Sequence, residues 1–180
     1  DAAIAAGAPE NCVQWITQPS MEATSALMNH EGIATILATG GNAMVKAAYS
    51  CGKPALGVGA GNVPAYVEKS ANIRQAAHDI VMSKSFDNGM VCASEQAVII
   101  DKEVYDEFVE EFKSYHTYFV NKKEKALLEE FCFGAKANSK NCAGAKLNPD
   151  IVGKPATWIA EQAGFSVPED TNILAAECKE

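Results

Sequence analysis

Two hydrophobic rhythms alternate along this chain. Residues 33–38 (Ile-Ala-Thr-Ile-Leu-Ala) form a nearly continuous apolar run, as a strand buried on both faces requires. Residues 54–58, 65–67 and 97–100 read as further strands, as do 13–16 and 172–176. Between them the spacing becomes helical. Pro19 starts a helix that runs from Met21 to near Asn29 and His30, and residues 42–50 form another directly after Thr39-Gly40-Gly41. Ile73, Ala76, Ala77, Ile80 and Val81 follow the i, i+3, i+4, i+7, i+8 pattern in a helix capped by Ser70 and ending near Lys84. Asp101 caps a helix with the stripe Val104, Phe108, Phe112 and Tyr115, while Gly134 and Gly164 close helices at 122–133 and 157–163. Residues 135–149 have no period and read as a loop, and 1–7 read as the last turns of a glycine-closed helix. Strand–helix alternation predicts an α/β fold built on a parallel sheet, with a boundary between two lobes at 84–92.

Composition narrows the function classes. The 180 residues are 48% hydrophobic and 21% charged, which are globular values. A net charge of −8 argues against a binder of nucleic-acid phosphates, which needs clustered Lys and Arg. No apolar stretch reaches the length of a membrane span, and no signal-peptide pattern opens the chain. Cysteines at 12, 51, 92, 132, 142 and 178 show no Cys-x-x-Cys spacing, so reduced thiols and a cytoplasmic location are expected, with no metal site. The first residue is not Met and the last follow a strand-like run, so both ends read as cut from something longer.

Three places carry candidate chemistry. Cys92 falls on a loop, after a turn at Asp87-Asn88-Gly89 and before the strand at 97–100. A thiol with a pKa of about 8.5 needs local dipoles or charges to act as a nucleophile at neutral pH, and a turn of small residues can aim amides at it. The bland alternative is a buried structural cysteine, the commoner fate of a lone one. Thr39, Gly40 and Gly41 make a strand–turn–helix junction where amides can meet a pyrophosphate, although glycine after a strand is often only a turn and the full Gly-x-Gly-x-x-Gly fingerprint is absent. The third is Gly57-Val58-Gly59-Ala60-Gly61-Asn62. His30, His78 and His116 are scattered and form no readable dyad with Cys92, and the acidic stretch 107–111 reads as a solvated helix face.

The run Lys84-Ser-Phe-Asp-Asn-Gly-Met-Val-Cys-Ala-Ser-Glu-Gln96 resembles the nucleophile segment of CoA-acylating aldehyde dehydrogenases, in particular the aldehyde dehydrogenase half of the bifunctional aldehyde-alcohol dehydrogenases. The run Gly52-Lys-Pro-Ala-Leu-Gly-Val-Gly-Ala-Gly-Asn62 is similar to theirs too, and the likeness extends over essentially the whole chain. It implies an aldehyde-dehydrogenase-like fold: residues 1–84 the C-terminal portion of the Rossmann-like dinucleotide-binding domain, residues 85–180 the N-terminal portion of the catalytic α/β domain. It also implies Cys92 as nucleophile, with Thr39, Gly40, Gly41, Val58 and Gly59 beside the cofactor. NAD would be the cofactor and coenzyme A the co-substrate. In hydrolytic relatives the place of Val58 holds a Glu that activates the deacylating water. Valine cannot accept a proton, which favours CoA as acyl acceptor.

The resemblance further implies that an asparagine oxyanion donor precedes residue 1. A general-base histidine, oligomerisation elements and an iron-dependent alcohol dehydrogenase half would follow residue 180. Of the oxyanion donors only the Cys92 amide lies within these residues, so the piece alone is expected to be a poor enzyme, and homo-oligomers are expected of the parent. Two other classes compete. A non-catalytic nucleotide-binding or assembly module would show no special reactivity at Cys92. An NAD-independent cysteine acyltransferase would need a histidine partner for it.

Overall fold

A computed structural model describes residues 1–59, 61–134 and 145–178. Every paired strand has a helix between it and its partner, which is what parallel pairing demands, because a tight turn cannot return the chain in the same direction. In chain order the elements are helices α1 (Ala2–Ala5) and α2 (Met21–Asn29), strand β1 (Ile36–Thr39), α3 (Asn42–Ser50), β2 (Ala55–Val58), β3 (Pro64–Val67) and α4 (Ile73–Ser85). Then come β4 (Ala97–Ile100), α5 (Tyr105–Ser114), β5 (Thr117–Phe119), α6 (Lys122–Phe133), α7 (Ala156–Ala163) and β6 (Ile173–Ala175). Strands β1 and β2, β3 and β4, and β5 and β6 form three parallel pairs. The chain divides into two compact units, Asp1–Ala60 and Gly61–Glu180.

The first unit is a β–α–β arrangement. Ile36 and Ala38 of β1 pack with Ala48 of α3. Leu37, expected to be buried with the rest of its run, is 76% exposed, because among the described residues only one face of β1 is covered. Gly57 lets α3 approach β2: a Cβ there would lie 2.6 Å from Val45 Cγ1 and 2.9 Å from the Tyr49 ring. Tyr49 uses that closeness, its hydroxyl accepting from the Gly57 amide at 2.9 Å.

The second unit is organised by α4 and α5. Ile73, Ala77, Ile80 and Val81 form the buried stripe of α4. They pack with Val67, Phe108 and Phe112, whose rings sit 4.8 Å apart. An apolar cleft of about 600 Å³ opens beside this core, with Lys84 and Glu95 as polar members of its lining. Cys92 is not among the residues that line it.

Several expectations are corrected. Residues 13–16 form no strand; Val13 and Trp15 are largely exposed, and no neighbour among the described residues offers them a ladder. Asn72, not Ser70, caps α4, its side chain accepting from the Gln75 amide at 3.0 Å, while Ser70 is engaged with Glu68. Asp101 does not cap with its side chain, which instead accepts from the Tyr66 hydroxyl at 2.7 Å and the Lys69 amide at 3.0 Å. A short 3-10 turn, Lys102–Val104, therefore precedes α5. The loop expected over 135–149 lies in part outside the described residues.

Candidate active site

In the first unit the two glycine turns form one structure. Thr39 and Val58 are paired at the ends of β1 and β2, and the Gly40 amide donates to the Val58 carbonyl at 3.1 Å. Gly41 is the N-cap of α3 and supplies no side chain to it, so among the described residues nothing caps the first amides of the helix at the carboxyl ends of the strands. Gly59 keeps this mouth clear, since a Cβ there would meet Asn42 Oδ1 at 3.0 Å. Open amides at a helix start, with their partial positive charge, suit a pyrophosphate. Thr39, Gly40, Gly41, Val58 and Gly59 are thus brought together; Ala60 lies outside the described residues.

Cys92 belongs to the second unit. It is exposed, at the first central position of a turn closed by the Ser94 amide, which donates to the Val91 carbonyl at 3.0 Å. The Ser94 hydroxyl, 1% exposed, donates to the same carbonyl at 2.8 Å and locks the turn from below. No hydrogen bond joins the Cys92 amide to another described residue, so it is open to a developing oxyanion. Before the turn, Asp87 and Asn88 both have φ 50° and Gly89 has φ 75°. Three consecutive left-handed residues reverse the chain after α4 and lift the thiol out of the core.

The other thiols are placed differently. Cys132 is buried, and burial pushes its thiol up, away from the reactive thiolate. Cys51 is half-buried and its Sγ donates to the Ala48 carbonyl at 2.9 Å. Cys12 and Cys178 are exposed, while Cys142 lies outside the described residues. In the unit of Cys92, His78 pairs with Asp79 at 3.1 Å and His116 with Asp170 at 2.8 Å. His30, in the first unit, accepts from the Gly32 amide at 3.0 Å. No cluster of three or more His, Cys, Asp or Glu suited to a metal occurs among the described residues, and none of their helices is long and apolar enough to cross a membrane.

Residues that sequence reasoning missed support the thiol. The Asn88 side-chain amide donates to the Gly153 carbonyl at 3.0 Å, and Met90 packs against Gly153. Asp-Asn-Gly signals a left-handed turn, but nothing in the sequence names a partner 65 positions away.

The first unit thus ends its β–α–β arrangement in a glycine mouth, and the second presents an exposed thiol on a turn between a helix and a strand of a parallel pair, both features of an α/β class of protein. The model of the Aldehyde dehydrogenase family matches residues 1–146, and the chain belongs to that family. It is 96% identical over 180 residues to the aldehyde-alcohol dehydrogenase of Streptococcus pneumoniae serotype 4, covering 100% of this chain and 20% of that protein. The chain thus spans about a fifth of the length of that curated relative. Among solved structures, an acetylating aldehyde dehydrogenase from Geobacillus thermoglucosidasius superposes with a TM-score of 0.86 at 46% identity, over 99% of this chain and 38% of that one. A propionaldehyde dehydrogenase from Rhodopseudomonas palustris, with bound CoA and an acylated cysteine, gives a TM-score of 0.82 at 36% identity over 98% of this chain and 38% of that one. The expected aldehyde-dehydrogenase-like α/β fold is therefore the fold of this chain.

Proposed function

We propose that this chain carries the nucleophile and part of the cofactor site of a CoA-acylating aldehyde dehydrogenase. The reaction interconverts acetaldehyde, or another short aldehyde, CoA and NAD with the acyl-CoA and NADH. The observation that carries this reading is the exposed Cys92 thiol at the head of the Val91–Ser94 turn. Cys92 as thiolate adds to the aldehyde carbonyl carbon, and the oxygen gathers negative charge beside the Cys92 amide. A bound NAD would supply the acceptor for the hydride of that carbon. The thioester left on Cys92 then passes its acyl group to the CoA thiolate, and the Cys92 sulfur departs as thiolate. One proton is released for each turnover in the direction of acyl-CoA.

The mouth formed by Gly40, Gly41 and Gly59 supports a dinucleotide pyrophosphate at α3. The absence of a carboxylate at Val58 supports CoA rather than water as acyl acceptor. Residues 1–84 serve the dinucleotide and 85–180 the thiol chemistry in this reading, within a longer cytoplasmic homo-oligomer.

The test is to incubate the folded chain with acetyl-CoA and map acylation over its six cysteines by peptide mass, with a denatured sample as control. Acylation confined to Cys92 in the folded sample is expected. Equal acylation of the exposed Cys12 and Cys178, or none at all, would count against it.

A further inference from the structure

The nucleophile loop has a locally encoded side and a held side. Asp87 and Asn88 lie in the left-handed region, which Asp and Asn tolerate better than other non-glycine residues, so the turn is encoded locally while its placement on the unit is not. Within the loop, Met90 donates to the Asp87 carbonyl at 3.2 Å, a local bond that cannot anchor the turn to the rest of the unit. The anchor comes from elsewhere. Gly153, with φ 72°, lies between the 3-10 turn Pro149–Ile151 and α7, and its carbonyl accepts from the Asn88 side chain at 3.0 Å. The Met90 thioether lies so close that a Cβ on Gly153 would be 2.7 Å from its sulfur.

We propose that Asn88 and Gly153 form a positioning latch for Cys92, tying the left-handed turn before the nucleophile to the segment that leads into α7. Neither residue touches substrate; both act through the loop. The latch deepens the reading of Cys92 as acyl acceptor and rests on it for its consequence in catalysis. A hydrogen bond across the loop narrows the set of directions in which Cys92 presents its sulfur, and misplacement of a nucleophile is costly in rate.

Asn88→Gly is the informative variant, because glycine retains left-handed freedom and loses the donor, and Asn88→Asp, which also tolerates that region but cannot donate, controls for the backbone freedom that glycine adds. Gly153→Ala strains the partner backbone and displaces Met90, and Met90→Ala in that background removes the clash. Two quantities are measured: hydrogen exchange of the Met90 and Ser94 amides, with the Phe112 amide of α5 as reference, and acyl transfer from acetyl-CoA to Cys92. In Asn88→Gly, loop exchange should rise about three- to tenfold, as loss of one neutral hydrogen bond allows, with Phe112 unchanged. The acylation rate at saturating acetyl-CoA should fall by a similar factor, with the half-saturating concentration unchanged. Gly153→Ala should do the same and Met90→Ala should restore part of it. Unchanged loop exchange in both variants, or raised exchange with unchanged acylation rate, overturns the latch. Raised exchange in a chain whose unsubstituted form is never acylated keeps the latch as a structural tie and removes the acyl-transfer reading instead.

Discussion

The Gly40 amide donates to the Val58 carbonyl at 3.1 Å, so two turns far apart in sequence share one mouth at the ends of β1 and β2. That mouth depends on how closely α3 lies on β2, and Gly57 sets the distance. Alanine there would press into Val45 and the Tyr49 ring. Gly57→Ala is expected to cost about 1–3 kcal/mol, the usual penalty of overpacking, in urea or thermal unfolding. Val45→Ala in the same chain should recover part of the loss. A Gly57→Ala chain as stable as its parent would show that α3 moves away freely.

Local signals made much of this fold legible. Helix α3 begins at Asn42 and α6 spans Lys122–Phe133 as read, because Gly41 and Gly134 mark their ends in the sequence itself. Strand β5 was not legible: three residues follow His116, a non-glycine residue with φ 64°, and their partner β6 lies far along the chain. Residues 13–16 carry strand-like side chains, yet pairing decides and composition does not. At the site, the loop position of Cys92 could be read from its neighbours. The hold exerted by Gly153 and by buried Ser94 could not, since both depend on the folded path.

Phe108 belongs to the second unit's core, 1% exposed and tilted against Phe112 with ring centroids 4.8 Å apart. Phe108→Ala should destabilise this chain by about 3–5 kcal/mol, combining lost transfer energy with a cavity. Phe133→Ala, at a residue 43% exposed, is the control and should cost much less. Equal denaturant midpoints for the two variants would remove Phe108 from the core.

The Tyr105 hydroxyl donates to Glu177 Oε1 at 2.7 Å, which ties the start of α5 to the chain just past β6. That bond, and then burial, pushes the phenol up to about 12 from its ordinary 10.0. The folded chain therefore holds the Tyr105 proton more tightly than the unfolded chain does. Linkage fixes the sign: the contribution is complete below pH 10.0 and is lost as pH rises from there through about 12. In a spectrophotometric titration of phenolate, the difference between parent and Glu177→Gln should isolate one tyrosine whose midpoint, near 12, moves down where the acceptor is neutral, while the raised phenols of Tyr66 and Tyr118 cancel. Stability measured across the same range should fall less steeply in that variant than in the parent. If the late-titrating phenol is unmoved by Glu177→Gln, the carboxylate is not what holds its proton, and the tie between α5 and β6 must be sought elsewhere.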